Sequence, residues 1–114
     1  MRAVLTALLA MAAGPAFADG ADVFNTHCGD CHGLEAASSP VGPGLKGVVG
    51  RKIASLSDFQ YSDAMKAKGG TWTADALNAF LADPRGFIPG TDMFGGAPDA
   101  ADRKAIIDYL KTVK

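Results

Sequence analysis

An all-α domain of three to four helices, joined by long loops and wrapped around one covalently attached group, is the fold class this sequence predicts. Three observations lead there. No segment alternates apolar and polar residues convincingly enough to read as a half-buried strand. Segments 73–82 and 99–113 carry apolar residues at helical spacing between recognisable start and stop signals. Finally, Cys28-Gly29-Asp30-Cys31-His32 forms C-x-x-C-H, the pattern of a c-type haem attachment site.

Each thiol of that run can add to one haem vinyl group, giving two thioether bonds on one turn of backbone. His32 then falls under the iron as its proximal ligand. Two other chemistries use such thiols. A thioredoxin-type C-x-x-C needs a βαβ setting, and no strand-helix-strand pattern surrounds this one. A structural zinc site wants four ligands, whereas the chain offers these two Cys and, beyond His32, only His27. One covalent haem c is therefore expected. Attachment consumes both thiols, so no disulfide is expected.

Residues 1–18 read as a secretory signal peptide cleaved after Ala18. Arg2 supplies the positive start, Ala3 to Ala13 the apolar run and Ala16-Phe17-Ala18 the small-x-small cleavage site. The run is too short to span a bilayer, so no stable membrane insertion is expected. The destination is an exported, oxidising compartment, the periplasm. Residues 19–114 make one small domain in which an attached haem supplies much of the core, so the apo-protein is expected to fold poorly. Without Arg2 the basic side chains number one fewer than the chain's 11 while all 12 acidic ones remain, a formal charge of about −2. That balance lacks the basic footprint of a nucleic-acid binder.

In order along the chain, Asp22 to Cys31 is a short helix ending at the haem site, with Val23 and Phe24 apolar. Residues 33–52 are rich in Gly, Pro and Ser and read as loop. Asp63 to Lys68 forms a short helix closed by Gly69-Gly70. In 73–82, Thr71 or Thr73 caps the first turn, Leu77, Phe80 and Leu81 share a face, and Pro84 stops the helix. Residues 86–98, dense in Gly and Pro, are expected to be irregular. In 99–113, Asp99 and Asp102 sit at the positive end and Lys111 and Lys114 near the negative end. Ile106, Ile107, Leu110 and Val113 make its buried stripe, with Tyr109 beside them. Long connections are unusual in so small a domain, but loops can wrap a flat porphyrin where straight helices cannot.

The iron needs a sixth ligand or an open position. After signal removal the candidates are Met65, Met93 and His27. His27 adjoins Cys28 on the proximal segment and reads as a solvated surface residue. Met65 lies in an amphipathic helix, where a methionine is more often packing. Met93 follows Pro89-Gly90-Thr91-Asp92 in a stiff turning segment that could hold a thioether over a metal. Spacing favours Met93 over Met65.

The chain resembles class I cytochromes c, especially the small periplasmic cytochromes c and c2 of bacteria and their mitochondrial relatives. The resemblance rests on Gly20 and Phe24 before the C-x-x-C-H run, then on Val41-Gly-Pro-Gly-Leu-Lys-Gly-Val-Val-Gly-Arg51-Lys52. Tyr61-Ser-Asp-Ala-Met, Gly70-Thr-Trp72, Phe87-Ile-Pro-Gly-Thr-Asp-Met93 and Tyr109-Leu110 follow in the family's order. It implies the cytochrome c fold, with His32 and Met93 as axial ligands. Pro43 matches the proline whose carbonyl accepts a hydrogen bond from the proximal imidazole, a contact that fixes the tautomer and raises basicity. Arg51, Tyr61, Trp72 and Thr91 match residues that hydrogen-bond haem propionates. Gly20, Phe24, Tyr109 and Leu110 match the crossing of first and last helices. Phe80 stands where many relatives carry a tyrosine near the Met sulfur. The segment after Met93 is about one residue shorter than in mitochondrial relatives.

The function implied is a monomeric, soluble periplasmic electron carrier of a respiratory chain, not an enzyme. Its partners would be a donor such as a bc1-type complex or dehydrogenase and an acceptor oxidase or reductase. The alternatives are a dedicated redox subunit of one periplasmic dehydrogenase, and a haem peroxidase or gas-binding protein. Relatives that dock to acidic surfaces ring the haem edge with lysines. Here those places hold His27, Gly86, Asp92, Pro98 and Asp99, with Arg85 the one cation kept. Docking is expected through the apolar haem rim, with weak or inverted salt dependence.

Overall fold

Every helix of this chain begins on a side chain suited to start one. In the computed structural model, which describes residues 19–114, the helices are α1 (Gly20–His27), α2 (Asp63–Lys68), α3 (Ala74–Ala82), α4 (Pro84–Phe87) and α5 (Ala100–Leu110). The signal-peptide reading falls on residues 1–18, outside the described residues. Asp19, Ser62, Thr73, Asp83 and Asp99 are the respective N-caps, each accepting a hydrogen bond from a first-turn backbone N–H. Such caps contribute about 1 kcal/mol apiece. Among the described residues the β pairing is one isolated antiparallel bridge, Lys52 to Thr71. The all-α expectation holds, with five helices among the described residues.

Three boundaries differ from the sequence reading, each for a local reason. Helix α1 starts at Gly20 because Asp19, not a later residue, accepts from Ala21 N. It ends at His27, and Cys28 to Cys31 form turns in which both Cys31 N and His32 N donate to the Cys28 carbonyl. Pro84 does not merely stop α3. It occupies the first turn of α4, where a missing N–H costs nothing, and Asp83 caps that turn through Gly86 N at 3.1 Å. Helix α5 ends at Leu110 rather than Val113, its last residues tightening into turns: Thr112 N donates to Tyr109 O and Val113 N to Leu110 O.

The core joins the two ends of the chain. Helix α1 packs on α5, burying Phe24 and Ile106 almost completely, with the Phe24 and Tyr109 rings 6.0 Å apart. Gly20 makes this approach possible: a Cβ there would meet Ala105 O and Tyr109 Cβ, both at 2.8 Å. The contact role read for Gly20, Phe24, Tyr109 and Leu110 is seen. Helix α3 packs on α5 through Leu77, Phe80 and Leu81. Each such side chain contributes about 1.5–3 kcal/mol by leaving water. Between α1 and α3 the one described helix is short α2, which packs on no other helix. There the chain supplies a cavity.

Candidate functional site

The cavity opens between the turn after α1, the loop after α4 and the inner faces of α3 and α5. The C-x-x-C-H turn forms one wall, contributing Cys28, Cys31 and His32. Cys28 closes α1, its N–H donating to Phe24 O at 2.7 Å, so the buried thiol is set by the α1–α5 packing. Cys31 is exposed, and the two cysteines are not joined. Burial pushes the Cys28 thiol up to about 11, with the Cys31 charge adding to the effect. Among the described residues no three His, Cys, Asp or Glu side chains gather as a metal cluster.

His32 is half-buried, and its Nδ1 lies 3.0 Å from the Pro43 carbonyl oxygen. A carbonyl can only accept, so Nδ1 carries a proton, and in the neutral ring Nε2 keeps the lone pair that a metal ligand requires.

Met93 lines the same cavity, on a loop held at several points. Thr91 N donates to Ile88 O, Met93 N donates to Thr91 Oγ1 at 3.3 Å, and Ala97 N donates to Leu81 O at 2.9 Å. Gly96 sits at φ +141°, and a Cβ there would collide with the Leu81 carbonyl. Met65 lines the same cavity from α2. There it is half-buried and packs against the core, in keeping with the packing role read from its helix.

The polar residues read from the family pattern also gather here. Arg51, Tyr61, Trp72 and Thr91 all line the cavity. The Lys52–Thr71 bridge explains two of them: Trp72 N donates to Arg51 O at 2.8 Å, so the backbone couples these positions. Arg51 donates through Nη1 to the Gly44 carbonyl at 2.9 Å. Burial lowers its pKa, opposed by nearby Tyr61 and Asp58, and a guanidinium remains charged regardless. The Tyr61 hydroxyl accepts from Leu56 N at 3.3 Å, which leaves its own proton to donate. Phe80 is buried against Trp72, with ring centroids 5.0 Å apart, and Phe87 completes the aromatic cluster.

Two long-range ties are not legible in the sequence. His27 is exposed, as expected of a surface residue, and its Nε2 lies 3.2 Å from Asp102 Oδ2, linking the end of α1 to the start of α5; the residue also lines the cavity. Seventy-five residues separate the pair, so no local signal could reveal it. Asp58 accepts from both the backbone and hydroxyl of Ser38 at 2.8 Å, and Ser38 Oγ in turn accepts from Gly44 N. Those bonds hold the Asp58 carboxyl below its ordinary range. Of the places where relatives carry rim lysines, His27 and Asp92 line the cavity, whereas Gly86, Pro98, Asp99 and Arg85 lie off it.

An apolar cavity with two unpaired thiols on one turn, an imidazole, a thioether and four polar donors fits a haem in its donor set. Comparison with known proteins agrees. The cytochrome c family model matches residues 17–114. The chain is 47% identical over 90 residues to cytochrome c2 iso-2 of Magnetospirillum molischianum, covering 78% of this chain and 93% of that protein. It is 44% identical over 95 residues to the cytochrome c-type cyt cy of Rhodobacter capsulatus, covering 82% of this chain but about half (47%) of that longer protein. The solved structure of cytochrome cH from Methylobacterium extorquens superposes with a TM-score of 0.76 at 43% identity, over 84% of this chain and 97% of that one. The chain therefore belongs to the cytochrome c family of electron carriers, whose members hold haem c covalently through a C-x-x-C-H motif such as Cys28 to His32.

Proposed function

We propose that this chain is a periplasmic one-electron shuttle in which Cys28 and Cys31 would hold the haem, and His32 and Met93 would bind its iron. When bound, the haem supplies a ferric–ferrous couple. The single observation that carries the reading is the 3.0 Å contact from His32 Nδ1 to the Pro43 carbonyl, which directs Nε2 as the free donor. The loop ties around Met93 support its role: a thioether is a weak ligand and needs a backbone that holds it in place.

The remaining residues serve that couple in physical terms. Val48, Leu77, Leu81 and Ile106 line the cavity with apolar surface and exclude water, which disfavours the ferric charge. Arg51, Tyr61, Trp72 and Thr91 offer donors for the haem propionates. A methionine ligand raises the potential relative to a second histidine. With His32 and Met93 both committed to the iron, no open coordination position would remain for a substrate, and a change of oxidation state would need little movement of the protein. That separates a carrier from a peroxidase or a gas-binding protein. Export to the periplasm rests on the signal-like residues 1–18.

Stoichiometric reduction of the purified holoprotein by a mild donor, with no turnover of peroxide and no carbon monoxide binding at neutral pH, is the expected outcome. Steady consumption of a small substrate by the protein alone would overturn the proposal. Co-purification with one dehydrogenase, and slow exchange with other acceptors, would assign it to the dedicated-subunit class instead.

A further inference from the structure

The carbonyl oxygen of Pro43 and the N–H of Gly44 belong to one planar peptide group. Both ends of that group are bonded. The oxygen accepts from His32 Nδ1 at 3.0 Å, and Gly44 N donates to Ser38 Oγ at 3.0 Å. Ser38 Oγ in turn donates to Asp58 Oδ1 at 2.8 Å, and Ser38 N donates to Asp58 Oδ2 at 2.8 Å. These bonds make one chain, from the His32 imidazole through the Pro43–Gly44 peptide and the Ser38 hydroxyl to the Asp58 carboxylate.

Donation runs in a single direction along it. His32 donates to the peptide, the peptide donates to Ser38, and Ser38 donates to Asp58. In such a head-to-tail chain a negative charge on the final acceptor pulls on every proton before it, so each oxygen becomes a better acceptor. The final acceptor is ionised, because the Ser38 bonds hold the Asp58 carboxyl below its ordinary range. The imidazole at the far end therefore gains electron density at Nε2, an effect that a bonded carboxylate gives a metal-binding histidine directly.

The loop keeps these groups in register. A Cβ on Gly44 would meet the carbonyl oxygens of Glu35, Ala37 and Ala36 at 2.5, 2.8 and 2.9 Å, so the chain wraps this peptide closely. Ser38 is half-buried and Asp58 exposed. Among the described residues, the two Ser38–Asp58 bonds are the hydrogen bonds that join residues 33–45 to residues 53–61. A surface tie between two loops commonly serves stability alone. This one ends on the peptide that His32 uses, which gives it a second consequence.

We infer that Ser38 and Asp58 are positioning residues for His32, a relay through which a surface carboxylate raises the basicity of the proximal ligand and lowers the reduction potential of the haem. The inference rests on the reading of His32 as an iron ligand and deepens it by naming what tunes that ligand.

Redox titration of the holoprotein and proton NMR of its ferrous form test this. Asp58→Asn removes the charge and keeps an oxygen for Ser38 to bond. Ser38→Ala keeps the charge and removes the hydroxyl. Each is expected to shift the ferric–ferrous equilibrium toward ferrous about threefold, or about 28 mV at about 59 mV per tenfold for one electron. The double variant shifts it no further than the larger single change, because both break one chain. Ser38→Thr retains a hydroxyl and the wild-type potential. Thr73→Ala, which removes the α3 cap outside these loops, lowers stability and leaves the potential unchanged. A wild-type potential in Ser38→Ala beside a raised one in Asp58→Asn would reduce the effect to charge acting through space and overturn the inference. So would shifts that add in the double variant, or an equal rise in Thr73→Ala.

Chemical shifts give a readout apart from the potential. The His32 Nδ1 proton and the Gly44 amide proton are expected to move upfield in Asp58→Asn as both bonds weaken, while the amide of Ile106 in α5 stays in place. If the His32 and Gly44 protons do not move, the relay is overturned. A haem spectrum without His32 ligation, beside a Gly44 amide proton that still moves in Asp58→Asn, would place the failure in the ligation reading and not in the relay.

Discussion

The Nδ1 atom of His32 lies 3.0 Å from the carbonyl oxygen of Pro43, eleven residues along a loop that has no helix or strand of its own. That carbonyl is held by neighbouring backbone bonds, Ser39 N to Gly42 O and Leu45 N to Gly33 O, each 3.0 Å. A loop rich in Gly, Pro and Ser therefore acts as the orienting half of the proximal site. Pro43→Ala keeps the carbonyl but frees the backbone. It is expected to lower stability by up to about 1 kcal/mol through the unfolded chain, and to raise the reduction potential as the imidazole loses basicity. Denaturant unfolding together with potentiometric titration measures both.

Phe80 is buried between Trp72 and Phe87 and lines the cavity. A phenol in its place could donate to the Met93 sulfur and draw electron density from it, which favours the ferrous state. Phe80→Tyr is expected to raise the potential by tens of millivolts, the size of one net hydrogen bond on a one-electron scale. An unchanged potential would show that the ring does not face the sulfur.

Gly96 holds a left-handed conformation with no room for a Cβ beneath the Leu81 carbonyl. Gly96→Ala is expected to cost about 1–3 kcal/mol, the usual size of such backbone strain. It also loosens the Ala97 N to Leu81 O bond that secures the Met93 loop. Unfolding midpoint and the strength of the far-red sulfur-to-iron band are expected to fall together.

Asp58 gives the acid response. Its folded pKa is depressed by the Ser38 backbone and hydroxyl bonds, so the ionised form is favoured in the folded state. Stability from this group is present above the unfolded carboxylate pKa of about 3.9 and is lost as pH falls through the folded value. Asp58→Asn is expected to destabilise the protein at neutral pH, and the gap to wild type is expected to narrow under acid. Paired denaturation curves at the two pH values check this; a gap that stays constant would contradict it.

What was legible in the sequence was what short-range chemistry encodes. The C-x-x-C-H turn, the Thr73 cap and the α5 stripe at Ile106, Ile107 and Leu110 are all local patterns, and each appears where expected. Pro84 was read as a stop because proline breaks helices, but its fixed φ serves equally to start one, and only Asp83 behind it decides between the two. The His27–Asp102 and Ser38–Asp58 ties lie 75 and 20 residues apart, and polar pairing at that range leaves no periodic trace. Met65 and Met93 remained separable only by loop stiffness, and the structure brings both to one cavity.

That pair sets the decisive experiment, the visible spectrum of the ferric and ferrous holoprotein recorded for wild type, Met93→Ala and Met65→Leu. Ligation by His32 and Met93 predicts sharp ferrous α and β bands, with a weak far-red ferric band that Met65→Leu retains and Met93→Ala abolishes. A far-red band that survives Met93→Ala, or a high-spin wild-type spectrum, would contradict the account.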